Sequence, residues 1–292
     1  MTRALGTIGI TGRLRLVSTV LFLAIGISGM SGCASFREIK TFASLSSNAA
    51  GYEAFTRDYI GTVDRRKQYQ PPKFHDELET LKMRREAQRD SLGVLQQTVA
   101  NYMQGLDSLA SGETRTFDRS LQDLSASLNE ATLLDRNEKE AIGALSTLLA
   151  RTVTTIYRQH EMKKLIHDGN PPLQDVIKAT RKIVKNGIVA DLQVESAIVG
   201  RYYDNFMLAP DNPVEPVAMA LGKEARAEAL GRVDSRIRGA QSYDAVLDKI
   251  AAGHQYLYDH RDMIGNNEFG QQLKPYIDEL RAAYRNLLDV TR

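Results

Sequence analysis

Apolar residues recur every three or four positions along most of the chain, and no segment alternates regularly between apolar and polar residues. This spacing places apolar side chains on one face of an α-helix, and such a face packs against other helices. The clearest case, between Pro72 and Gly112, has on one face Phe74, Leu78, Leu81, Leu92, Leu95, Val99, Tyr102, Leu106 and Leu109. Arg85 and Gln88 interrupt this face. The stretch around them is therefore predicted to be either exposed to solvent or buried with a specific role for its polar side chains.

Further helices follow from the same spacing. A first helix is predicted from Ile39 to Val63, and it ends before Pro71 because proline cannot continue the backbone hydrogen bonds. A short helix is predicted through Phe117 to Leu128. The remainder of the chain divides into helices of about 214 to 238, 241 to 263 and 267 to 290.

Between these segments lies a longer predicted helix. Asp135 and Glu138 have the spacing of a capping box, which predicts a helix that continues past Ile156. The sequence GNPP, residues 169–172, is predicted to end that helix and begin another. The proline-rich run at 209–216 is the most loop-like segment and a possible sub-boundary. The pattern as a whole predicts an all-α fold, an elongated antiparallel bundle of about seven or eight helices.

The N-terminal residues differ in composition from the rest. Residues 1–15 contain Arg3, Arg13 and Arg15 but no acid, and the apolar run Leu16 to Ile27 follows. This order of charge and hydrophobicity is typical of a secretory signal peptide. The apolar run has about a dozen residues, fewer than the roughly 20 that a membrane-spanning helix requires.

Residues 28–33 read SGMSGC, and Cys33 is the single cysteine of the chain. The segment closely resembles the lipobox of bacterial lipoproteins, with Met30 where leucine is usual. The resemblance implies that the Cys33 thiol becomes a thioether to diacylglycerol, that residues 1–32 are removed, and that the new amino group is acylated. The mature domain would then be residues 33–292. The alternatives are a lone cysteine at an ordinary cleavage site and a buried free thiol.

Lipidation also accounts for the lone thiol, because an unpaired cysteine in an oxidising compartment has no internal disulfide partner. Two or more acyl chains would hold the protein firmly on a membrane. In the resembling family, aspartate directly after the cysteine commonly retains the protein in the inner membrane. Ala34 stands there in this chain, which favours the outer membrane, with the domain facing the periplasm.

The charge balance argues against a nucleic-acid partner. The full chain carries 38 Lys and Arg against 36 Asp and Glu, a formal net charge of +2. Loss of the three leader arginines makes the mature chain nearly neutral, which removes any global attraction to nucleic acid. Local basic clusters remain, at 65–67, 82–89 and 178–185. Acids lie close to most of them, which favours solvated helix faces over headgroup or phosphate patches.

The five histidines give little indication of a metal or catalytic site. His160 and His167 are about two helical turns apart, roughly 10 Å, which is too far for both to bind one ion directly. His254 and His260 lie in the polar and aromatic segment GHQYLYDH. His254 continues the apolar face of its helix, so we interpret it as a half-buried core residue.

No motif of a nucleophilic, zinc or phosphate-binding enzyme occurs, so neither catalytic nor metal-binding residues are predicted. Tyr202, Tyr203 and Phe206 are interpreted as closing a core, the alternative being an exposed anchor for a partner. We expect a lipid-anchored structural or adaptor protein of the envelope, with a protein partner and no cofactor besides the lipid on Cys33. The alternative is a lipoprotein that binds a small ligand or metal in a cavity lined by GHQYLYDH.

Overall fold

The computed structural model describes residues 31–52, 54–113, 134–151, 158–207 and 215–291. Within these ranges the chain forms eight α-helices and no strand. In chain order they are α1 Ser31–Ala50, α2 Ala54–Lys67, α3 His75–Ser111, α4 Arg136–Arg151, α5 Arg158–Ile183, α6 Ala190–Met207, α7 Pro216–Asp259 and α8 Asn267–Val290. The π-helical segment Val184–Val189 joins α5 to α6. The predicted all-α helical bundle is confirmed.

The main core lies where α1, α3, α5, α7 and α8 meet. Helix α1 packs along α3 and α8, and α8 packs along α7. The largest fully buried apolar side chains of this core include Phe42, Tyr102, Met103, Tyr243 and Phe269. None of the helices in the described ranges combines the length and apolar character that a membrane span requires.

A second, smaller core lies between α6 and α7. Its buried residues are Val199, Ala229 and Val233, and the partly buried residues around them are Tyr69, Tyr203, Leu230 and Ile237. The two helices are antiparallel, because Arg226 near the start of α7 pairs with Asp204 near the end of α6, at 3.0 Å. We call this pair the α6/α7 hairpin.

The predicted first helix is interrupted in the structure. Helix α1 ends at Ala50 and α2 begins at Ala54, so the prediction of one helix from Ile39 to Val63 is wrong. The carbonyl groups at the end of α1 have no backbone donor within the helix. A core side chain supplies one, because the Tyr243 hydroxyl donates to the Ala50 carbonyl at 2.7 Å. This partner comes from a distant part of the chain, so the local pattern does not reveal it.

The predicted break at GNPP is also wrong, because α5 contains Pro171 and Pro172 in its interior. Two prolines remove two backbone donors and cost about 3 kcal/mol or more each. The neighbouring side chains Ile166 and Leu173 are completely buried. We attribute the continuity of α5 to this burial on both sides of the prolines.

Helix α7 is likewise continuous across the predicted break between residues 238 and 241. At that point Gly239 and Ala240 are buried, and a Cβ added at Gly239 would lie 3.2 Å from the Thr291 methyl group. The small residues therefore mark a close approach of α7 and α8, not a helix end.

Helix α4 begins as predicted. The Glu138 amide donates to Asp135 Oδ1, and the Asp135 amide donates to Glu138 Oε2, both at 2.9 Å. This is the reciprocal bonding of a capping box. Helices α4 and α5 pack side by side, however, so the single helix predicted to continue past Ile156 is wrong. The predicted helix at 117–128 and most of the 209–216 segment lie outside the described residues.

Candidate functional site

The residue predicted to carry lipid, Cys33, belongs to α1, whose backbone is described from Ser31. Ile39 and Phe42, six and nine residues further along, are completely buried in the main core. The chain therefore enters the folded bundle directly after the lipobox-like segment. Lipidation of Cys33 stays a prediction.

His254 is the centre of a buried hydrogen-bond network that connects three helices. The imidazole of His254 on α7 contacts the Tyr102 hydroxyl of α3 through Nε2 and Asn170 Oδ1 of α5 through Nδ1, both at 2.8 Å. His254 is completely buried, so the predicted half-buried core residue is more deeply enclosed than expected. Its two ring nitrogens are both occupied by protein groups.

Two glycines make room for this network. A Cβ at Gly169 would lie 2.5 Å from the Tyr102 ring, and one at Gly253 would overlap the Phe42 ring. Any other residue at either position would push these helices apart. In the sequence, Gly253 directly precedes His254 and Gly169 directly precedes Asn170. Each helix therefore places a glycine next to the polar side chain that it contributes.

The direction of the hydrogen bonds follows from the exposed carboxylate of Asp259. Gln255 Nε2 donates to Asp259 at 2.9 Å, so Gln255 Oε1 is turned inward and accepts from Asn170 Nδ2 at 2.8 Å. Asn170 Oδ1 then accepts from the Nδ1–H of His254. Nε2 of His254 is left to accept from the Tyr102 hydroxyl, whose proton also lies within reach of the Leu165 carbonyl at 3.1 Å. A surface anion thus sets the tautomer of a buried imidazole five residues away.

Neither titratable group of this network changes charge near neutral pH. Burial lowers the pKa of His254 from 6.5 to about 3. Burial also raises the pKa of Tyr102 far above its usual value of 10.0. A general acid or base works best with a pKa near the operating pH, and it must reach a substrate. The network therefore holds α3, α5 and α7 together as neutral groups and offers no proton for chemistry.

The rest of the GHQYLYDH segment is divided between the core and the surface. Tyr256 is buried, stacks on His260 with 4.2 Å between ring centroids, and donates to Gln272 at 2.9 Å. His260 lies at the end of α7. His254 is enclosed and bonded on both ring nitrogens, so neither nitrogen is free for a ligand. The alternative function, a ligand cavity lined by this segment, stays a prediction.

The remaining histidines lie apart from one another. His160 and His167 are exposed, and His167 stacks on Tyr258 and contacts Asp168 at 2.9 Å. Within the described ranges, no group of three or more His, Cys, Asp and Glu side chains is placed to hold a metal ion.

A second polar cluster, unexpected from sequence, lies where α2, α3 and α6 meet. Arg65 holds the buried Glu195 in a bidentate pair, with Nε at 2.8 Å and Nη2 at 3.2 Å. Arg85 is completely buried, with Nη2 2.5 Å from an Asp191 oxygen. Part of the first two basic clusters is therefore not a solvated face. The one sequence signal was the interruption of the apolar face of α3 at Arg85.

Burial in this cluster also affects Tyr59, whose ring lies 5.2 Å beneath the Arg85 guanidinium. Burial, with the nearby negative charge of Asp191, raises the pKa of Tyr59 to about 12. The phenol therefore stays protonated and can donate a hydrogen bond to Asp191. The guanidinium of Arg85 is thus held between an aromatic face and a carboxylate.

The aromatic group before the 209–216 segment is only partly a core. Tyr203 is partly buried in the smaller core, whereas Tyr202 is 47% exposed, so the prediction that both close a core is wrong for Tyr202. The side chain of Phe206 lies outside the described residues. Val217 and Leu221, at the start of α7, are 68% and 61% exposed. The end of the α6/α7 hairpin therefore presents apolar side chains to solvent.

Comparison of this chain with protein-family models, with curated proteins and with solved structures found no match.

Proposed function

We propose that this protein is a lipoprotein of the bacterial outer membrane, anchored through lipid on Cys33 and facing the periplasm. In this proposal the helical bundle is a structural or adaptor element that binds another protein of the cell envelope. One observation carries it: the lipobox-like residues 28–33 run directly into α1, whose side chains enter the core from Glu38 onward.

This arrangement supports a short anchor. Six helical residues separate Cys33 from the buried Ile39, which corresponds to about 9 Å along the helix axis. A lipid on Cys33 would therefore keep that end of the bundle next to the bilayer. An adaptor gains from such an anchor, because a short connection restricts where its partner-binding surface can reach.

The opposite end of the bundle lies far from Cys33. Helix α1 runs antiparallel to α7, since Phe42 packs against Gly253 and Ala50 accepts from Tyr243. Cys33 therefore lies toward the C-terminal end of α7, whereas Val217 lies at its N-terminal end. Along α7, which has 44 residues, the separation is roughly 65 Å. The bundle can hold a partner well away from the membrane.

The end of the α6/α7 hairpin is the surface that we propose for the partner. Its exposed side chains Tyr202, Val217 and Leu221 are of types that are enriched or common in protein interfaces. Val217 and Leu221 are one helical turn apart on the same face of α7, and neighbouring exposed apolar side chains mark interaction sites more than single ones do. A lipid anchor at one end and an apolar end at the other suit a tethered adaptor.

The anchor is tested by Cys33→Ala in the full-length chain in its native host. We expect loss of labelling by a clickable palmitate analogue and an uncleaved precursor of higher mass. Ser35→Ala, two residues away, is the matched control and should be processed and labelled normally. Normal processing and membrane retention of the Cys33→Ala protein would contradict the proposed anchor.

The partner surface is tested by crosslinking in living cells. A photoreactive amino acid at Leu221 should give one discrete adduct of higher mass, identified by mass spectrometry as an envelope protein. The same amino acid at Asp234, which is exposed more than three turns further along α7, is the control and should give none. Identical adducts from both positions, or none from Leu221, would contradict the proposed surface.

A further inference from the structure

The arginine cluster between α2, α3 and α6 has more positive than negative charges. Two of its arginines lie beside acids. Arg65 is hydrogen-bonded to Glu195. Arg85 is close to Asp191, but its guanidinium nitrogens form no hydrogen bond among the described residues. Arg66 lies in the same cluster, and its Nε is buried without a hydrogen-bond partner among the described residues. A buried donor without an acceptor is unfavourable, because it has lost water and gained nothing in exchange.

The electrostatics of the cluster also favour an anion beside Arg66. Burial, and then the positive charge of Arg85, lower the pKa of Arg66 below its usual value of 12.5. The surroundings therefore disfavour the Arg66 cation as they stand. An anion beside Arg66 would compensate both effects, since it would accept the free N–H and offset the repulsion from Arg85.

A groove of about 400 Å³ opens next to Arg66. One wall is formed by Phe74, directly before α3, and by Leu78 and Leu81 of α3, which together make an apolar strip about 10 Å long. Arg84 lies at the end of this strip nearest to Arg85, and Arg66 lines the groove from α2. The groove is thus lined by two guanidinium groups and by an apolar strip.

One acidic residue, Glu77, also lines the groove. Glu77 is seven residues before Arg84 on α3, which is two helical turns or roughly 10 Å. Gln70 also lines the groove, and its buried Oε1 has no hydrogen-bond partner among the described residues. A protonated oxygen of a bound acid group could donate to that atom.

We propose that this groove binds an anionic amphiphile, a molecule with one phosphate or carboxylate headgroup and a single alkyl chain. The headgroup lies between Arg66 and Arg84, whose planar guanidinium groups suit the paired oxygens of such acids. The alkyl chain lies along Phe74 and Leu81, on either side of the largely buried Leu78. This site is formed by residues 66–84 and does not depend on the modification of Cys33.

The test uses the full-length chain in phosphatidylcholine nanodiscs, with empty nanodiscs titrated in parallel. Isothermal titration compares hexyl phosphate, hexanoate, inorganic phosphate and hexanol. We expect the better of hexyl phosphate and hexanoate to bind at least about tenfold more tightly than inorganic phosphate, because each buried methylene adds affinity. Whichever of the two binds more tightly identifies the headgroup. Hexanol should bind more weakly than both.

Substitutions separate a specific site from general adsorption. Arg66→Gln and Arg84→Gln should each weaken binding by about tenfold or more, which is typical when a charged hydrogen bond is lost. Arg84 is exposed, so its substitution also tests the site if Arg66→Gln disturbs folding. The matched control is Arg89→Gln, the same charge change on the same helix outside the groove, and it should leave the affinity unchanged.

Three results would overturn the proposal: equal affinities for the hexyl anions and hexanol, equal loss of binding in Arg84→Gln and Arg89→Gln, or no binding above empty nanodiscs. Processing of Cys33 does not enter this assay. A failure here therefore leaves the proposed lipid anchor unaffected, and a failure of the anchor leaves this site unaffected.

Discussion

Protonation of the buried His254 makes a specific prediction about stability at acidic pH. The folded protein holds this imidazole neutral, with a pKa of about 3, whereas the unfolded chain binds a proton at 6.5. Below pH 6.5 the unfolded state therefore carries more protons, and the free energy of unfolding falls as the pH falls. Above pH 6.5 both states are neutral at this residue, and its contribution is constant.

The magnitude follows from the two pKa values. A pH of 5.0 is about 1.5 units below the pKa of His254 in the unfolded chain, so the unfolded chain is protonated there while the folded protein still holds the imidazole neutral. This difference lowers the free energy of unfolding by about 2 kcal/mol relative to pH 7.5. The loss would continue to grow until the pH approached the folded pKa of about 3.

The assay is urea unfolding of the full-length chain between pH 5.0 and 7.5, followed by circular dichroism, with the m-value checked at each pH. The reference is His254→Gln, which cannot titrate. This variant should be less stable at pH 7.5 by about 1–3 kcal/mol, because polar partners lose their bonds. Its stability should then fall by about 2 kcal/mol less than that of the natural protein on going to pH 5.0. Other titrating groups cancel in this comparison, and parallel pH profiles would refute the reasoning.

Three further substitutions test the packing and capping contacts by urea unfolding. Gly253→Ala should cost about 1–3 kcal/mol, because its Cβ would overlap the Phe42 ring. Arg65→Gln should cost about 3 kcal/mol, because it leaves the carboxylate of Glu195 buried without its bidentate partner. Asp135→Ala should cost about 1 kcal/mol through loss of the side-chain cap on the Glu138 amide.

Gly253→Ala and Arg65→Gln each have a matched control. Gly143→Ala meets no atom within 4 Å on α4, so it should stabilise the protein by up to about 1 kcal/mol through helix propensity. Arg238→Gln removes an exposed pair with Asp234 and should change stability by less than about 1 kcal/mol. Similar costs for Gly253→Ala and Gly143→Ala, or for Arg65→Gln and Arg238→Gln, would show that the contacts described here do not determine stability.

Local signals predicted the elements that depend on neighbouring residues. The capping box at Asp135 and the apolar spacing of α3 and α8 were sufficient, because a helix start and an amphipathic face are properties of a few consecutive turns. The same signals failed at Gly51 and at Pro171. There the outcome depends on side chains such as Tyr243 and Leu173, which act through long-range packing.

The candidate sites likewise depend on long-range packing, which local sequence signals do not reveal. His254 was placed in the core from its spacing alone, but its partners Tyr102 and Asn170 come from helices 152 and 84 residues away in sequence. Arg85 was marked as unusual, yet its burial beside Asp191 could not be deduced. A charge on an apolar face has two possible environments, and only the packing of a third helix selects between them.

By itself, the sequence determined that the chain is helical and that it carries a lipobox-like segment around Cys33, because both follow from patterns within a few turns. Tertiary structure alone decided which polar residues are enclosed and which apolar residues are exposed. His254 and Arg85 became buried, and Val217 and Leu221 remained at the surface. The reason is physical: helical periodicity gives each residue a face, but the environment of that face depends on which distant helix covers it.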